Sequence, residues 1–276
     1  MSLIHKLDSG KKIKLKDFDP DANGGLKKAE GEELAGKRNL ELTALQETLS
    51  AAGTTPVLIV LQGMDTAGKD GTIRHVMGAL NPQGCNVSSF KIPTPVEAAH
   101  DFLWRVHSQA PQKGEITIFN RSHYEDVLVV RVHKLIEEAK WKKRYEHINR
   151  FEELLADSGV VIMKFFLHIS KEEQEERLLE REQDPVASWK LSVSDWTERK
   201  LWDDYQEAYE EVLNKTSTSY APWHVVPANH KWFRNAAISE TIVETLNPFK
   251  MGWVKHLQEI GAVAKKSLEV YHKSSE

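Results

Sequence analysis

The stretch GMDTAGKDG, residues 63–71, sets a lysine and closely spaced glycines beside two carboxylates. Gly63 and Gly68 bracket four residues and Lys69 follows, the spacing of a phosphate-binding loop. In such a loop backbone N–H groups, here those of Gly63, Met64, Thr66, Ala67, Gly68 and Gly71, converge on phosphate oxygens. The helix that follows turns its positive end toward them, and Lys69 adds a mobile positive charge. One position departs from the pattern. A Ser or Thr hydroxyl usually follows the lysine and ligates Mg2+, whereas this chain has Asp70. A second acid, Asp65, lies inside the loop. Carboxylates beside a polyanion repel it unless a metal ion lies between them. The loop therefore implies Mg2+, or Mn2+ in its place, held more by acids than by a hydroxyl. Asp65 is the first candidate ligand; Asp70 is either a second or a carboxylate favouring the helix N-terminus.

A second constellation is FNRSHYED, residues 119–126. It begins where an apolar run ends, and strand ends line the ligand crevice of open α/β sheets. Arg121 is placed to grip a phosphate bidentately. Glu125 either supplies a metal-side carboxylate that Asn120 cannot, or joins Asp126 in favouring a helix start. Ser170, with Glu173 three residues later, forms the signature of a capped helix over KEEQEERLLER. Arg177 and Arg181 are four apart on it and share a face. They either close over phosphates in a helix–loop–helix lid with Lys190, or belong to a solvated helix laced with glutamates. Arg74, Lys91, Arg105 and Arg131 fall near strand ends or in adjoining helices and together can line a channel for a long polyanion. The expected catalytic set is Asp65, Lys69, Arg121, Glu125, Arg177 and Arg181, with Asp65 and Glu125 on the metal. The twelve histidines show no metal-ligand spacing. Cys85 opens a strand-like segment and reads as a small buried residue.

Positioning these groups requires strands that end together. TPVLIVLQG, CNVSSFKIP, GEITIFNRS, VVIMKFFLHIS and WHVVPAN are short apolar runs, each followed by a helix-like stretch. Five strands alternating with helices predict an α/β fold: three layers, α/β/α, around a five-stranded parallel sheet, with a helical lid at about residues 170–200. Residues 1–25 are polar, end in DPDANGG, and read as an arm or loop outside the core. Leucines 34, 42, 45 and 49 mark a helix from Leu26 to Leu49, ended by Gly53. Ser194 or Asp195 should cap a helix reaching about Leu213, and Trp253–Tyr271 a final amphipathic one. The expected organisation is an arm and helix packed on the core (1–50), a catalytic unit (51–250) and a C-terminal helix (251–276).

The formal charge of −4 gives no global attraction to nucleic acid or anionic membrane, so a polyanion site must be a local cluster of Lys and Arg. No run approaches the roughly 18 apolar residues of a membrane span. The N-terminus lacks a hydrophobic signal core, which predicts a cytoplasmic protein.

GMDTAGKDG, FNRSHYEDV, NPQGCNVSSFKIPTP and SWKLSVSDWTERKLWDDYQEAYEEVL, in this order, resemble the polyphosphate kinase 2 family from about residue 30 to residue 250. The resemblance implies a fold like that of the P-loop nucleotide kinases and inorganic polyphosphate as phosphate donor. It assigns catalysis or polyphosphate binding to Asp65, Lys69, Arg121 and the lid residues Arg177, Arg181 and Lys190. Many members read DRSWYN where this chain reads NRSHYE, so a metal role for the strand-end acid does not carry over to Asn120. The NRSHYED form is similar to the class III subgroup, which implies AMP and ADP as acceptors, with GMP and GDP as further ones. The expected assembly is a homo-oligomer, a dimer or a tetramer, with neither nucleic acid nor membrane as partner. An ATP-dependent nucleotide kinase is the competing reading, but it would be expected to keep Ser or Thr after the lysine. A non-catalytic phosphate-binding module would tolerate loss of the loop acids and lid basics, and both are present.

Overall fold

The computed structural model describes residues 3–185 and 193–274; Lys190 lies outside them. One sheet of six strands carries the fold: β1 (His5–Lys6), β2 (Val57–Gly63), β3 (Cys85–Ser89), β4 (Ile116–Asn120), β5 (Val161–His168) and β6 (Trp223–Pro227). Their order is β1-β6-β5-β2-β4-β3. The five apolar runs are the five parallel strands. The sixth comes from the arm: His5–Lys6 pairs antiparallel with β6. Two residues are too few to show strand alternation, so sequence pattern could not announce it. The arm is also not outside the core. Ile4, Leu7 and Leu15 are buried, and the Leu7 N–H donates to the Trp223 carbonyl at 2.8 Å.

Central β2 is buried over all seven residues, as a strand covered on both faces must be. Its register sets Leu61 beside Asn120 of β4 and Gly63 beside Leu167 of β5, so three strand ends finish at one level. The helices are α1 (Lys28–Ala52), α2 (Lys69–Thr72), α3 (Pro95–Ala98), α4 (Trp104–His107), α5 (Glu125–Val132), α6 (Glu138–Asp157), α7 (Lys171–Gln183), α8 (Val193–Arg199), α9 (Trp202–Thr216), α10 (Lys231–Leu246) and α11 (Lys250–Ser274). Leu42, Leu45 and Leu49 are the buried stripe of α1, and Gly53 ends it in a left-handed cap at φ +61°.

Two expectations near the lid change. Ser170 Oγ does accept the Glu173 N–H at 3.1 Å, but the Glu173 carboxylate turns to Arg177 Nε at 2.6 Å, so the box is half made. Ser194 and Asp195 lie within α8 rather than capping a single long helix. The chain turns at Lys200–Leu201 because its two halves serve different partners. Asp195 and Arg199 reach back to Arg181 and Glu175 of α7, whereas α9 buries Trp202, Tyr209 and Leu213. Among the described residues no helix is long and apolar enough to cross a membrane.

Candidate functional site

The glycine loop leaves β2 at Gly63 and enters α2 at Lys69, whose axis continues as a π-helical turn over Ile73–Met77. Gly68 sits at φ +102°, and a Cβ there would collide with the Arg234 guanidinium. Only glycine allows both the conformation and that approach. Lys69 is buried; its Nζ donates to the carbonyls of Gly63 (2.7 Å) and Met64 (3.2 Å). Burial depresses its pKa, against the pull of Asp65. The lysine therefore rests on the loop's own carbonyls, bonds that an arriving phosphate can replace.

Among the described residues three non-glycines have positive φ, and two of them are Thr66 (+64°) and Arg121 (+60°). Strained backbone of this kind gathers where a site needs side chains aimed in a fixed direction. Arg121 is aimed between two acids: Nη2 lies 2.8 Å from Asp65 Oδ1 and Nη1 3.8 Å from Glu125 Oε2. Burial raises the Glu125 pKa even beside Arg121 and Lys69. Gln62 Nε2 donates to Glu125 Oε1 at 3.1 Å and Ser122 Oγ at 3.2 Å, while Gln62 Oε1 is buried without a hydrogen-bond partner. Asp70 lies in the first turn of α2 and accepts from Asn120 Nδ2 at 2.9 Å. It is at once a helix-start carboxylate and a tie to the next strand.

The turn bearing Arg121 and Glu125 rests on a fully buried polar network. Lys164 Nζ of β5 donates to Glu152 Oε2 (2.6 Å), Tyr124 Oη (2.8 Å) and the Thr216 carbonyl (2.7 Å). Tyr124 Oη donates to Glu152 Oε1 at 2.7 Å, and the His123 ring nitrogen lies 3.2 Å from the same oxygen. The intervening residues Ser122, His123 and Tyr124 thus bind the core while Arg121 and Glu125 reach the crevice.

From α7, Gln174 Nε2 donates to the Asp65 carbonyl at 3.1 Å. Arg177 is buried and spends its donors on the carbonyls of Thr66 (2.9 Å), Ala228 (2.6 Å) and Asn229 (2.8 Å). It clamps the loop rather than standing free above it. Arg181 pairs with Asp195 at 2.9 Å. The resulting cleft, about 1080 Å3, gathers Asp65, Thr66, Gly68, Lys69, Asp70, Arg74, Lys91, Arg121, Arg177 and Arg181. A smaller cavity of about 390 Å3 opens from Asp65, Arg121 and Glu125, with Gly63 and Met64 in its wall and Leu128, Val129, Tyr205 and Tyr209 around it. Ala67 is buried and offers its carbonyl to Arg234, while Gly71 lies beside the same guanidinium.

Two expected channel residues lie elsewhere. Arg131 is held by Glu207 (2.7 Å) and Glu211 (2.6 Å) and stacks over Trp141. Arg105 is buried, donates to the Lys91 carbonyl at 2.8 Å and lies 3.6 Å from Asp126, so it braces the cleft wall from below. Local acids that no sequence spacing reveals claimed both. Cys85 opens β3 half-buried, and burial pushes its thiol up to about 11, which suits packing and not nucleophilic attack. Arg234, Gln62 and the two tyrosines went unread: Arg234 lies in KWFRNAAISE, far from any motif.

Residues 25–251 match the family described as Polyphosphate kinase 2. The chain is 55% identical over 243 residues to the AMP/ADP-polyphosphate phosphotransferase of Meiothermus ruber, covering 87% of this chain and 91% of that one. It is 46% identical to the ADP-polyphosphate phosphotransferase of Rhodopseudomonas palustris, over 77% and 78%. Its backbone is similar to the crystal structure of Polyphosphate Kinase 2 from Arthrobacter aurescens TC1, with a TM-score of 0.83 and 42% identity over 88% and 92% of the two chains. With the loop, the NRSHYED turn and α7 all inside the matched span, the chain belongs to the polyphosphate kinase 2 family.

Proposed function

We propose that the protein transfers the terminal phosphate of inorganic polyphosphate to nucleoside monophosphates and diphosphates, taking AMP to ADP and ADP to ATP. The observation that carries this reading is the charge of the cleft. Its lining holds seven Lys and Arg against five Asp and Glu, in a chain whose formal charge is −4. That local surplus surrounds a phosphate loop and suits a donor that is phosphate along its whole length. The 55%-identical relative, an AMP/ADP-polyphosphate phosphotransferase, supports the same donor and both acceptors. GMP and GDP are further acceptors in this reading, and the chain works as a homo-oligomer in the cytoplasm.

The smaller cavity suits the acceptor. At about 390 Å3, with aliphatic and tyrosine walls, it has the size and character of a nucleoside pocket, and it opens onto Arg121. An acceptor phosphate held by Arg121 lies beside a donor phosphate on the Lys69 loop. An acceptor oxygen attacks the terminal phosphorus of the donor, and the bridging P–O bond to the next phosphate breaks. The departing chain leaves one phosphate shorter and carries the bonding electrons. No side chain becomes phosphorylated. Phosphoryl transfer of this kind needs positioning and charge stabilisation. Lys69 exchanges the Gly63 and Met64 carbonyls for phosphate oxygens, Arg177 keeps the loop in shape, and Arg181 closes from the lid.

Asp65 and Glu125 are the residues that would hold Mg2+, or Mn2+. They offer only oxygen donors, the orphaned Gln62 Oε1 is a further buried acceptor beside Glu125, and Mg2+ takes one or two carboxylates with phosphate and water making up the rest. The ion supplies charge neutralisation between these acids and the phosphates.

The test is donor and acceptor profiling. Polyphosphate and ATP are each offered with AMP, ADP, GMP and GDP, and products are followed by chromatography. Turnover with ATP but none with polyphosphate would establish the ATP-dependent alternative; no turnover of AMP would remove the monophosphate half of the proposal.

A further inference from the structure

The turn that follows β6 carries a residue whose every polar group is committed. Asn229 donates its N–H to the Pro20 carbonyl at 3.1 Å and Nδ2 to Asp21 Oδ1 at 3.4 Å, both on the N-terminal arm. Its Oδ1 accepts the N–H of Ser170, the cap of α7, at 3.0 Å. Its carbonyl accepts Arg177 Nη2, from the same helix, at 2.8 Å. One residue thus joins the arm to the start of α7 and to the arginine that clamps the phosphate loop. The arm is itself anchored just before this contact: Leu15 is buried, and the Phe18 carbonyl lies 3.2 Å from His168 Nε2 at the end of β5.

The far end of this chain of bonds is the loop. Arg177 Nη1 holds the Thr66 carbonyl at 2.9 Å, and Gln174 Nε2 holds the neighbouring Asp65 carbonyl at 3.1 Å. Thr66 sits at φ +64°, where a β-branched residue stays only while its surroundings over-determine it. Both holds come from α7. The loop therefore keeps its shape as long as α7 keeps its place, and Asn229 ties the start of α7 to the arm.

We propose that Asn229 is a positioning residue for phosphoryl transfer, and that the N-terminal arm acts on the phosphate loop through it. The proposal rests on the function proposed above. Asp21 lines neither the cleft nor the smaller cavity, so its influence on turnover must pass through Asn229.

Asn229→Asp keeps the shape, the backbone bonds and the acceptor for Ser170, but replaces the Nδ2 donor with a carboxylate oxygen facing Asp21. With polyphosphate and AMP, kcat should fall about fivefold, the size of one like-charge contact near 4 Å in water. Amide hydrogen exchange over residues 64–68 should quicken. Asn229→Asp combined with Asp21→Asn exchanges donor and acceptor across the same contact, and both kcat and exchange should return toward wild type. Asp21→Leu, at a side chain 63% exposed, removes the tie without adding charge; kcat should fall while the melting midpoint holds. An unchanged kcat in Asn229→Asp, or a lower melting midpoint with kcat held, would overturn the proposal. So would a donor KM that rises and stays raised in the double variant, since that marks only a charge added near the donor. A wild type that turns over no acceptor fails the function proposed above, and hydrogen exchange in the same variants still decides whether Asn229 positions the loop.

Discussion

Replacing Lys164 with methionine removes the central cation of the network beneath the Arg121–Glu125 turn. Lys164 and Glu152 are both fully buried, and the ammonium makes three bonds at 2.6–2.8 Å. Methionine fills similar volume but leaves Glu152 buried beside the hydroxyl of Tyr124 with no full counter-charge. Breaking one side of a buried pair costs about 3–5 kcal/mol. For a chain of this size about 2–4 °C of melting temperature accompanies each kcal/mol, so the midpoint should fall by roughly 6–20 °C. The deficit should depend on pH. Burial alone would push the Glu152 carboxyl up, but Lys164 and the His123 contact outweigh it and hold the folded-state pKa below the usual range. In the wild type this contribution is therefore present above the unfolded value and lost as pH falls through the folded one. Without Lys164 burial dominates, the folded pKa rises, and stability is instead lost as pH climbs through it. The gap between the two proteins should be widest near neutral pH and narrow toward acid. Thermal unfolding followed by circular dichroism across that range measures it. Lys164→Met combined with Glu152→Leu should recover most of the loss. A deficit under about 1 kcal/mol for the single variant, or a double variant as unstable as the single, would refute the account.

Lys69→Ala should cut turnover more than tenfold, a loss above about 1.4 kcal/mol of transition-state stabilisation, while the melting curve stays near wild type. Asp65→Asn keeps shape but removes the charge that faces Arg121, and should raise the Mg2+ concentration needed for half-maximal rate; a near-normal rate at low Mg2+ would move that role to Glu125 or Asp70. Glu125→Asn should lower the AMP reaction more than the ADP reaction, because Glu125 lies in the wall of the proposed acceptor cavity; equal losses would leave it a general or structural residue.

Much of the scaffold was legible because its signals are local. Four of the five parallel strands are largely apolar runs, β3 (CNVSS) being the more polar one, and the glycine loop sits between the strand and helix that its spacing demands. What escaped depends on contacts distant in sequence. His5–Lys6 becomes a strand because β6 offers an edge, 218 residues on from Lys6 at His224. Arg131 looked like a channel residue until Glu207 and Glu211 of α9 took its donors. Arg177 was read as a lid residue reaching phosphates or as part of a solvated helix; its partners are instead backbone carbonyls of Thr66, Ala228 and Asn229, and carbonyls leave no mark in sequence. Gln62 could be read only as part of a buried strand; its amide becomes informative once Glu125 is brought to it.

The acid after the loop lysine acquires a meaning once Asn120 is set beside it. Asn120 donates to Asp70 at 2.9 Å, so the two residues form a neutral-to-anion hydrogen bond between α2 and the end of β4. The commoner family pattern places an aspartate at the strand end, and at this distance it would set a second carboxylate against Asp70. Two such acids need a cation between them. Asparagine removes that requirement at this corner of the cleft. The acids that flank Arg121 are Asp65 and Glu125, on the side where the proposed acceptor cavity opens. Positions 70, 120 and 125 thus act together: an amide at 120 satisfies the acid at 70, and the carboxylate at 125 restores negative charge on the acceptor side. Asn120→Asp alone should therefore repel Asp70 and raise the Mg2+ requirement. Asn120→Asp combined with Glu125→Asn moves the charge back to the strand end and should behave better than the Asn120→Asp variant. If the double variant is the worse of the two in Mg2+ requirement, the two positions do not exchange roles and the charge-relocation argument fails.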